Sequence, residues 1–269
     1  MPEGPEVRRM AEGLANRIVG QTIVRAEVLG GKWLKKPLPG LERIQSHLPL
    51  LVQRVGVKGK LIYVELADGV RMWNTLGMSG GWRDHRGKHA HFVLECANGT
   101  EVYFEDVRRF GNISFTDQAE IDRKLRDLGP DMLNEVVSPE VFLGSICRGN
   151  RINWNICKAL MDQKVICGVG NYIKSEALYR AGVNPWLSVG EIPEVKLRLL
   201  HDWIRRIIRR SYEQGGATLR TYTDMDNNMG EFVFEFEVYQ RSHDSLGNSV
   251  VREETPDKRA THWVPCVQT

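Results

Sequence analysis

Five cysteines in 269 residues is a thin supply, and Cys96, Cys147, Cys157, Cys167 and Cys266 are scattered with no C-x-x-C pair. That spacing indicates neither a zinc site nor a disulfide framework, so the five read as free thiols, mostly in the core. No apolar run approaches the ~20 residues of a membrane span, and the first residues hold no apolar signal-peptide core. The expectation is a non-secreted, intracellular protein without a membrane partner. An excess of one charge is missing too: the net charge is only +3. A nucleic-acid partner would have to be met by a local basic surface rather than by bulk charge. No internal repeat or low-complexity tract occurs, and the length suits two domains with proper cores.

What is present begins with Met1-Pro2-Glu3-Gly4-Pro5-Glu6. Methionine removal, favoured by a small second residue, would leave Pro2 as a free secondary amine. An α-amino group titrates near ~7.7–8.0, so a useful fraction is unprotonated at neutral pH. Such amines attack carbonyl-like carbons and form Schiff bases. Glu3 and Glu6, three apart at a helix start, could share the proton transfers. Equally, Pro, Glu and Gly are simply good helix-entry chemistry.

Val7, Met10, Ala11, Leu14 and Ile18 trace one helical face that Gly20 ends. From Thr22 to about Asp117 the pattern becomes β-rich, with runs at Thr22–Val28, Leu50–Val57, Lys60–Leu66, Val70–Asn74, Ala90–Cys96, Glu101–Phe104 and Asn112–Phe115. Asp68-Gly69 and Asn98-Gly99 are hairpin turns, and the series suggests a β-sandwich. Leu128-Gly129-Pro130-Asp131 breaks the pattern before a helical half, with helices expected at about Pro139–Cys147, Asn155–Asp162, Asn171–Ala181 and Pro193–Gln214. The last is amphipathic, with Leu200, Trp203, Ile204, Ile207, Ile208, Ser211 and Tyr212 inward. Its other face carries Arg205, Arg206, Arg209 and Arg210, by default a solvated face and alternatively a phosphate-facing patch. The tail reads as β again, at Glu231–Arg241, Val250–Glu253 and Thr261–Val264.

Three further stretches carry chemistry. Lys58-Gly59-Lys60 precedes a strand, where lysines also serve to discourage edge pairing. Leu76-Gly77-Met78-Ser79-Gly80 and Asp106-Val107-Arg108-Arg109-Phe110-Gly111 are Gly-flanked turns bearing Met, Arg and Phe. These suit wedges that fill the gap left by an extruded base, or sandwich core with a salt-bridged Arg. Gly168-Val169-Gly170-Asn171-Tyr172 joins two helices, so free N–H groups at the second helix start could hold a phosphate.

Taken in order, these motifs resemble the formamidopyrimidine-DNA glycosylase / endonuclease VIII family of bifunctional repair glycosylases, over nearly the whole chain. The resemblance implies an α+β fold: an N-terminal helix and β-sandwich (1–130), a helix-two-turn-helix domain with a lesion loop (131–230), and a β-hairpin finger (231–269). It implies catalysis by Pro2, Glu3, Glu6 and Lys60, with Pro2 attacking C1′, Glu3 shuttling protons and Lys60 clamping a phosphate. Met78, Arg108 and Phe110 would fill the void, while Asn171 and Arg259 contact phosphates. Gln214-Gly215-Gly216-Ala217-Thr218-Leu219 and then Met225–Gly230 would form a mobile loop over the flipped base. No cysteine stands where most bacterial members ligate zinc, so the finger resembles the zincless type of the Nei-like branch, and no metal or other cofactor is expected. His243 and His262 then read as surface or packing residues. The implied partner of this monomer is double-stranded DNA containing oxidised bases or abasic sites. Pro-Glu-Gly-Pro-Glu and the zincless tail lean toward oxidised pyrimidines, and the complete Met78/Arg108/Phe110 set keeps ring-opened purines and 8-oxoguanine open. The alternative is a non-catalytic binder of damaged or kinked DNA.

Overall fold

The computed structural model describes residues 2–217, 225 and 230–269. They form two compact units, each discontinuous in sequence. The first comprises Met1–Pro2, Glu6–Arg126 and Gly215–Gly230, and the second Glu3–Pro5, Asp127–Gln214 and Glu231–Thr269.

The helix α1 (Gly4–Ile18) buries Val7, Met10, Ala11, Leu14 and Ile18 in the first unit's core, the face its periodicity marks out. Gly20, at φ 79°, ends it in the left-handed conformation that glycine takes without strain. Next come β1 (Thr22–Val28), α2 (Leu41–His47), β2 (Leu50–Lys58), β3 (Leu61–Leu66), β4 (Arg71–Thr75), β5 (Gly80–Arg83), β6 (Ala90–Cys96), β7 (Glu101–Asp106), β8 (Asn112–Thr116) and α3 (Gln118–Asp127). The strands form one antiparallel sheet in the order β5-β7-β6-β1-β2-β3-β4-β8. At β2 it turns a corner: Leu50 and Leu51 pair with β1, while Val52–Lys58 pair with β3 past a bulge at Val52/Arg54. Phe92 of β6 and Phe115 of β8, far apart in strand order, consequently have ring centroids 5.8 Å apart. The two layers of the expected sandwich are one folded sheet. The Asp68-Gly69 and Asn98-Gly99 turns fall where the sequence places them, with Asp68, Gly69 and Gly99 at positive φ. Sequence patterning misses β5, α2 and α3. In β5 two glycines hide the alternation, and α3 is a mostly polar helix with Ile121 as its buried residue.

The second unit holds α4 (Pro139–Ile146), α5 (Ile156–Met161), α6 (Asn171–Arg180), α7 (Glu194–Glu213), β9 (Val251–Thr255) and β10 (Arg259–Trp263). Ser138 caps α4 by accepting from Val141 N, with Pro139 in the first turn. Of the residues expected inward on α7, Leu200, Ile204, Ile207, Ile208 and Ser211 are buried, whereas Trp203 and Tyr212 are only half-buried. Trp203 instead lies between the Arg180 and Arg206 guanidinium groups, each 5.2 Å from its ring.

The expected strand Glu231–Arg241 is not one. Phe232–Glu235 is a 3-10 turn, and the N–H groups of Glu237, Val238 and Tyr239 all donate to the buried Glu176 carboxylate at 2.7–3.0 Å. Hydrogen bonds that would have gone to a neighbouring strand are satisfied by one side chain. The hairpin is β9 with β10, paired from Arg259–Thr255 to Trp263–Val251. Among the described residues no helix is long and apolar enough to cross a membrane.

Candidate functional site

Residues 2–7 are all buried, unusual for a segment next to a chain end. Met1, whose removal would free the Pro2 amine, lies outside the described residues. Glu3 is 2% exposed and belongs to the second unit. There its carboxylate accepts from Tyr172 N at 2.9 Å and from Ile173 N at 3.4 Å, the first-turn donors of α6. A negative side chain thus sits on the positive end of a helix dipole. This corrects the expectation that these N–H groups wait for a phosphate. Gly170 carries the close approach, because a Cβ there would lie 2.2 Å from Glu3 Cδ. Beside it, Gly4 N donates to Gly168 O at 2.8 Å.

Glu6, in the first unit, is 1% exposed and accepts from Ala217 N at 2.7 Å. Gly216, at φ +90°, brings that backbone in, and a Cβ would lie 2.8 Å from Glu6 Oε1. Each glutamate is therefore fixed by backbone N–H groups that a glycine lets approach. Spacing along α1 reveals neither partner. Two glycine-containing stretches more than 160 residues away were the available signal.

Lys60 occupies the second position of a two-residue turn between β2 and β3, with Lys58 paired to Leu61 across it. Gly59 precedes it at φ 56°, the Gly-first arrangement of a type II′ hairpin. Lys60 is half-buried in the same unit as Pro2 and Glu6.

Met78 is half-buried on the β4–β5 turn, and Arg108 and Phe110 lie on the β7–β8 turn. Phe110 is 53% exposed, and the Arg108 guanidinium is 5.1 Å from its ring. The structure brings these turns together: a Cβ on Gly77, at φ +63°, would meet Gly111 N at 2.6 Å. Asn171 and Arg259 are likewise placed together in the second unit. Asn171 opens α6, and its Nδ2 donates to Ala260 O at 2.9 Å, one residue from Arg259 at the exposed start of β10.

Below Arg259 the hairpin turn is pinned by Lys174 of α6. Its Nζ is 2.6 Å from Asp257 Oδ2, with side chains 0% and 3% exposed. Thr255 Oγ1 also donates to Asp257 Oδ1. Farther along, Asp244 takes Leu246 N, Asn248 N and the Tyr179 hydroxyl, and Gln268 bridges Val264 N and Val183 O. His262 packs on Tyr239 with ring centroids 4.9 Å apart, while His243 is exposed. Of the cysteines, Cys96, Cys157 and Cys167 are buried and Cys266 is exposed. The described half of the expected lesion loop shows Ala217 and Met225 buried, Met225 in the first unit's core. Residues 218–224 and 226–229, and with them the expected mobility, lie outside the described residues.

Of the α7 arginines, Arg205 donates to Glu135 O and Arg210 pairs with Glu235 at 3.0 Å. These contacts fit the solvated-face reading.

Three family models cover the chain: the formamidopyrimidine-DNA glycosylase N-terminal domain at 1–113, its H2TH domain at 128–223 and its C-terminal domain at 225–269. The chain is 33% identical to a formamidopyrimidine-DNA glycosylase of Dinoroseobacter shibae over 100% of both sequences. Against that of Cronobacter sakazakii it is 34% identical over 98% of both. A Lactococcus lactis FPG mutant solved with DNA containing Fapy-dG superposes with a TM-score of 0.87 at 26% identity, covering 100% of both chains. With buried glutamates holding glycine-bearing segments in both units, and with every segment of the chain matched, this protein belongs to the formamidopyrimidine-DNA glycosylase family, the DNA glycosylases with abasic-site lyase activity of base excision repair.

Proposed function

We propose that this glycosylase removes oxidised bases from double-stranded DNA through a Schiff base on Pro2 and then cuts the strand by β- and δ-elimination. The observation that carries this reading is the complete burial of residues 2–7, with Glu3 and Glu6 each held by backbone donors. In this reading the Pro2 amine attacks C1′, the base leaves with a proton, and opening of the sugar gives the iminium. Glu3 moves protons during ring opening and elimination, Glu6 supports the site electrostatically, and Lys60 clamps a phosphate at the lesion. Met78, Arg108 and Phe110 fill the gap left by the extruded base. Asn171 and Arg259 hold the backbone, with the second unit and its hairpin serving as the DNA-binding part.

For the base, Gly4 within Pro-Glu-Gly-Pro-Glu and a hairpin held by Asp244, Lys174 and Gln268 rather than by thiolates favour oxidised pyrimidines of the Nei-like kind. Relatives named for formamidopyrimidines favour ring-opened purines beside them. The substrate range is broad.

Borohydride trapping on a duplex with one abasic site tests the chemistry. The wild type gives a covalent band that Pro2→Gly or an added N-terminal residue abolishes. A chain that has lost Met1 and binds the duplex without trapping would be the non-catalytic binder instead.

A further inference from the structure

The turn that carries Arg108 and Phe110 and the turn that carries Met78 share one buried anion. Asp106, 1% exposed, ends β7. Its Oδ1 accepts from Ser79 Oγ at 2.5 Å and from Arg108 N at 3.2 Å, and its Oδ2 accepts from Gly111 N at 2.7 Å. Ser79 Oγ in turn accepts from Arg108 N at 2.9 Å. Asp106 therefore closes the first turn at both ends of the Arg108–Gly111 segment, and the hydroxyl of Ser79, next to Met78, ties the second turn to it. The Asp106 backbone is braced as well: its carbonyl oxygen takes Arg109 N at 3.2 Å and lies 2.9 Å from His91 Nε2. Lys32 Nζ fixes the far end at Gly111 O, 2.7 Å away.

A buried carboxylate costs desolvation unless hydrogen bonds compensate it, and here three donors do. An apolar contact between the turns would hold them without that cost. What the anion adds is direction, since Ser79 Oγ and two backbone N–H groups must meet one planar group. We infer that Asp106, acting through Ser79, is a positioning residue that makes the two turns one rigid wedge, so that Met78 enters the duplex in register with Arg108 and Phe110. The inference rests on the wedge role proposed above. Extruding an intact base requires both turns to advance together, because stacking is recovered only when the whole gap is filled. A site that has already lost its base makes a smaller demand.

The test compares Ser79→Ala, Ser79→Thr and Asp106→Asn on two duplexes, one with dihydrouracil or 8-oxoguanine and one with a preformed abasic site. A 2-aminopurine beside the lesion reports unstacking without any chemistry. Ser79→Ala lowers excision of the intact lesion roughly 10-fold and Asp106→Asn about 100-fold, the scale of small misplacements. Both slow the 2-aminopurine rise in parallel, while borohydride trapping at the abasic duplex stays within about 3-fold of wild type. Ser79→Thr, which keeps the hydroxyl, behaves as wild type. The double variant Ser79→Ala/Asp106→Asn is no worse than Asp106→Asn alone, as expected for groups acting together. Should Asp106→Asn fail to fold, Ser79→Ala with its Ser79→Thr control decides alone. Equal losses on both duplexes, or an unchanged 2-aminopurine signal in Ser79→Ala, would overturn the inference. Absence of trapping by the wild type would instead remove the Schiff-base reading, and the 2-aminopurine comparison would still judge the wedge.

Discussion

At Gly170 a single hydrogen atom occupies the space that lets Glu3 reach the start of α6. Replacing it with a methyl group forces the carboxylate off Tyr172 N and Ile173 N, since Cβ would stand 2.2 Å from Glu3 Cδ. Gly170→Ala is expected to cost about 1–3 kcal/mol in stability, as overpacking does. It should also lower trapping far more than duplex affinity. Urea denaturation and borohydride trapping of the same preparation check both. This residue also shows where reading the chain stops. Gly170 is visible as a helix-start glycine, and a phosphate is the natural guess for what it admits. The actual occupant is a side chain 167 positions earlier, and no local period or turn rule connects the two. Glu6 and Gly216 repeat the lesson. Where turn chemistry is local, as at Asp68-Gly69 or Asn98-Gly99, the residues alone suffice.

The elements that were legible are α1 and α7, whose own pattern buries one face, the shorter helices α4 to α6, and the strands flanked by turn residues; α6 is buried from Tyr172 to Tyr179 on every side. The stretch from Phe232 to Val238 alternates like a strand but pairs with no strand among the described residues, and Glu176 takes the N–H groups of Glu237 and Val238 at its end instead. On β10, His262 sits against Tyr239, with Arg252 and Lys174 as its charged neighbours. Burial first, then repulsion from those two cations, pushes its pKa down to about 4. A histidine whose folded pKa lies below its unfolded value near ~6.5 binds protons preferentially when unfolded. Its contribution to stability is therefore fully present above pH 6.5 and is lost as pH falls toward 4. Thermal unfolding followed across pH 7 to 4 should show this decline, and His262→Phe should flatten it in that window.

For the whole molecule, a net charge of +3 leaves DNA affinity to a few well-placed cations. Binding to duplex should weaken steeply with salt, and Arg259→Ala should make the log–log slope shallower by about one, the share of one phosphate contact. An unchanged slope would take Arg259 off the phosphate backbone. Fluorescence anisotropy at several salt concentrations measures it.

The interleaving of the two units bears on how the chain is made. Residues 215–230 belong with the first unit, although Asp127–Gln214 of the second are synthesised before them, and Glu3–Pro5 belong with the second. At about 5–20 residues per second, a ribosome holds the first unit without its final segment for roughly 5–20 s. Glu3, translated almost first, meets Tyr172 N and Ile173 N only after α6 emerges, and Glu6 meets Ala217 N still later. A message cut short before codon 172 thus lacks the Tyr172 and Ala217 donors alike, and one cut between codons 173 and 217 lacks only the Ala217 donor to Glu6.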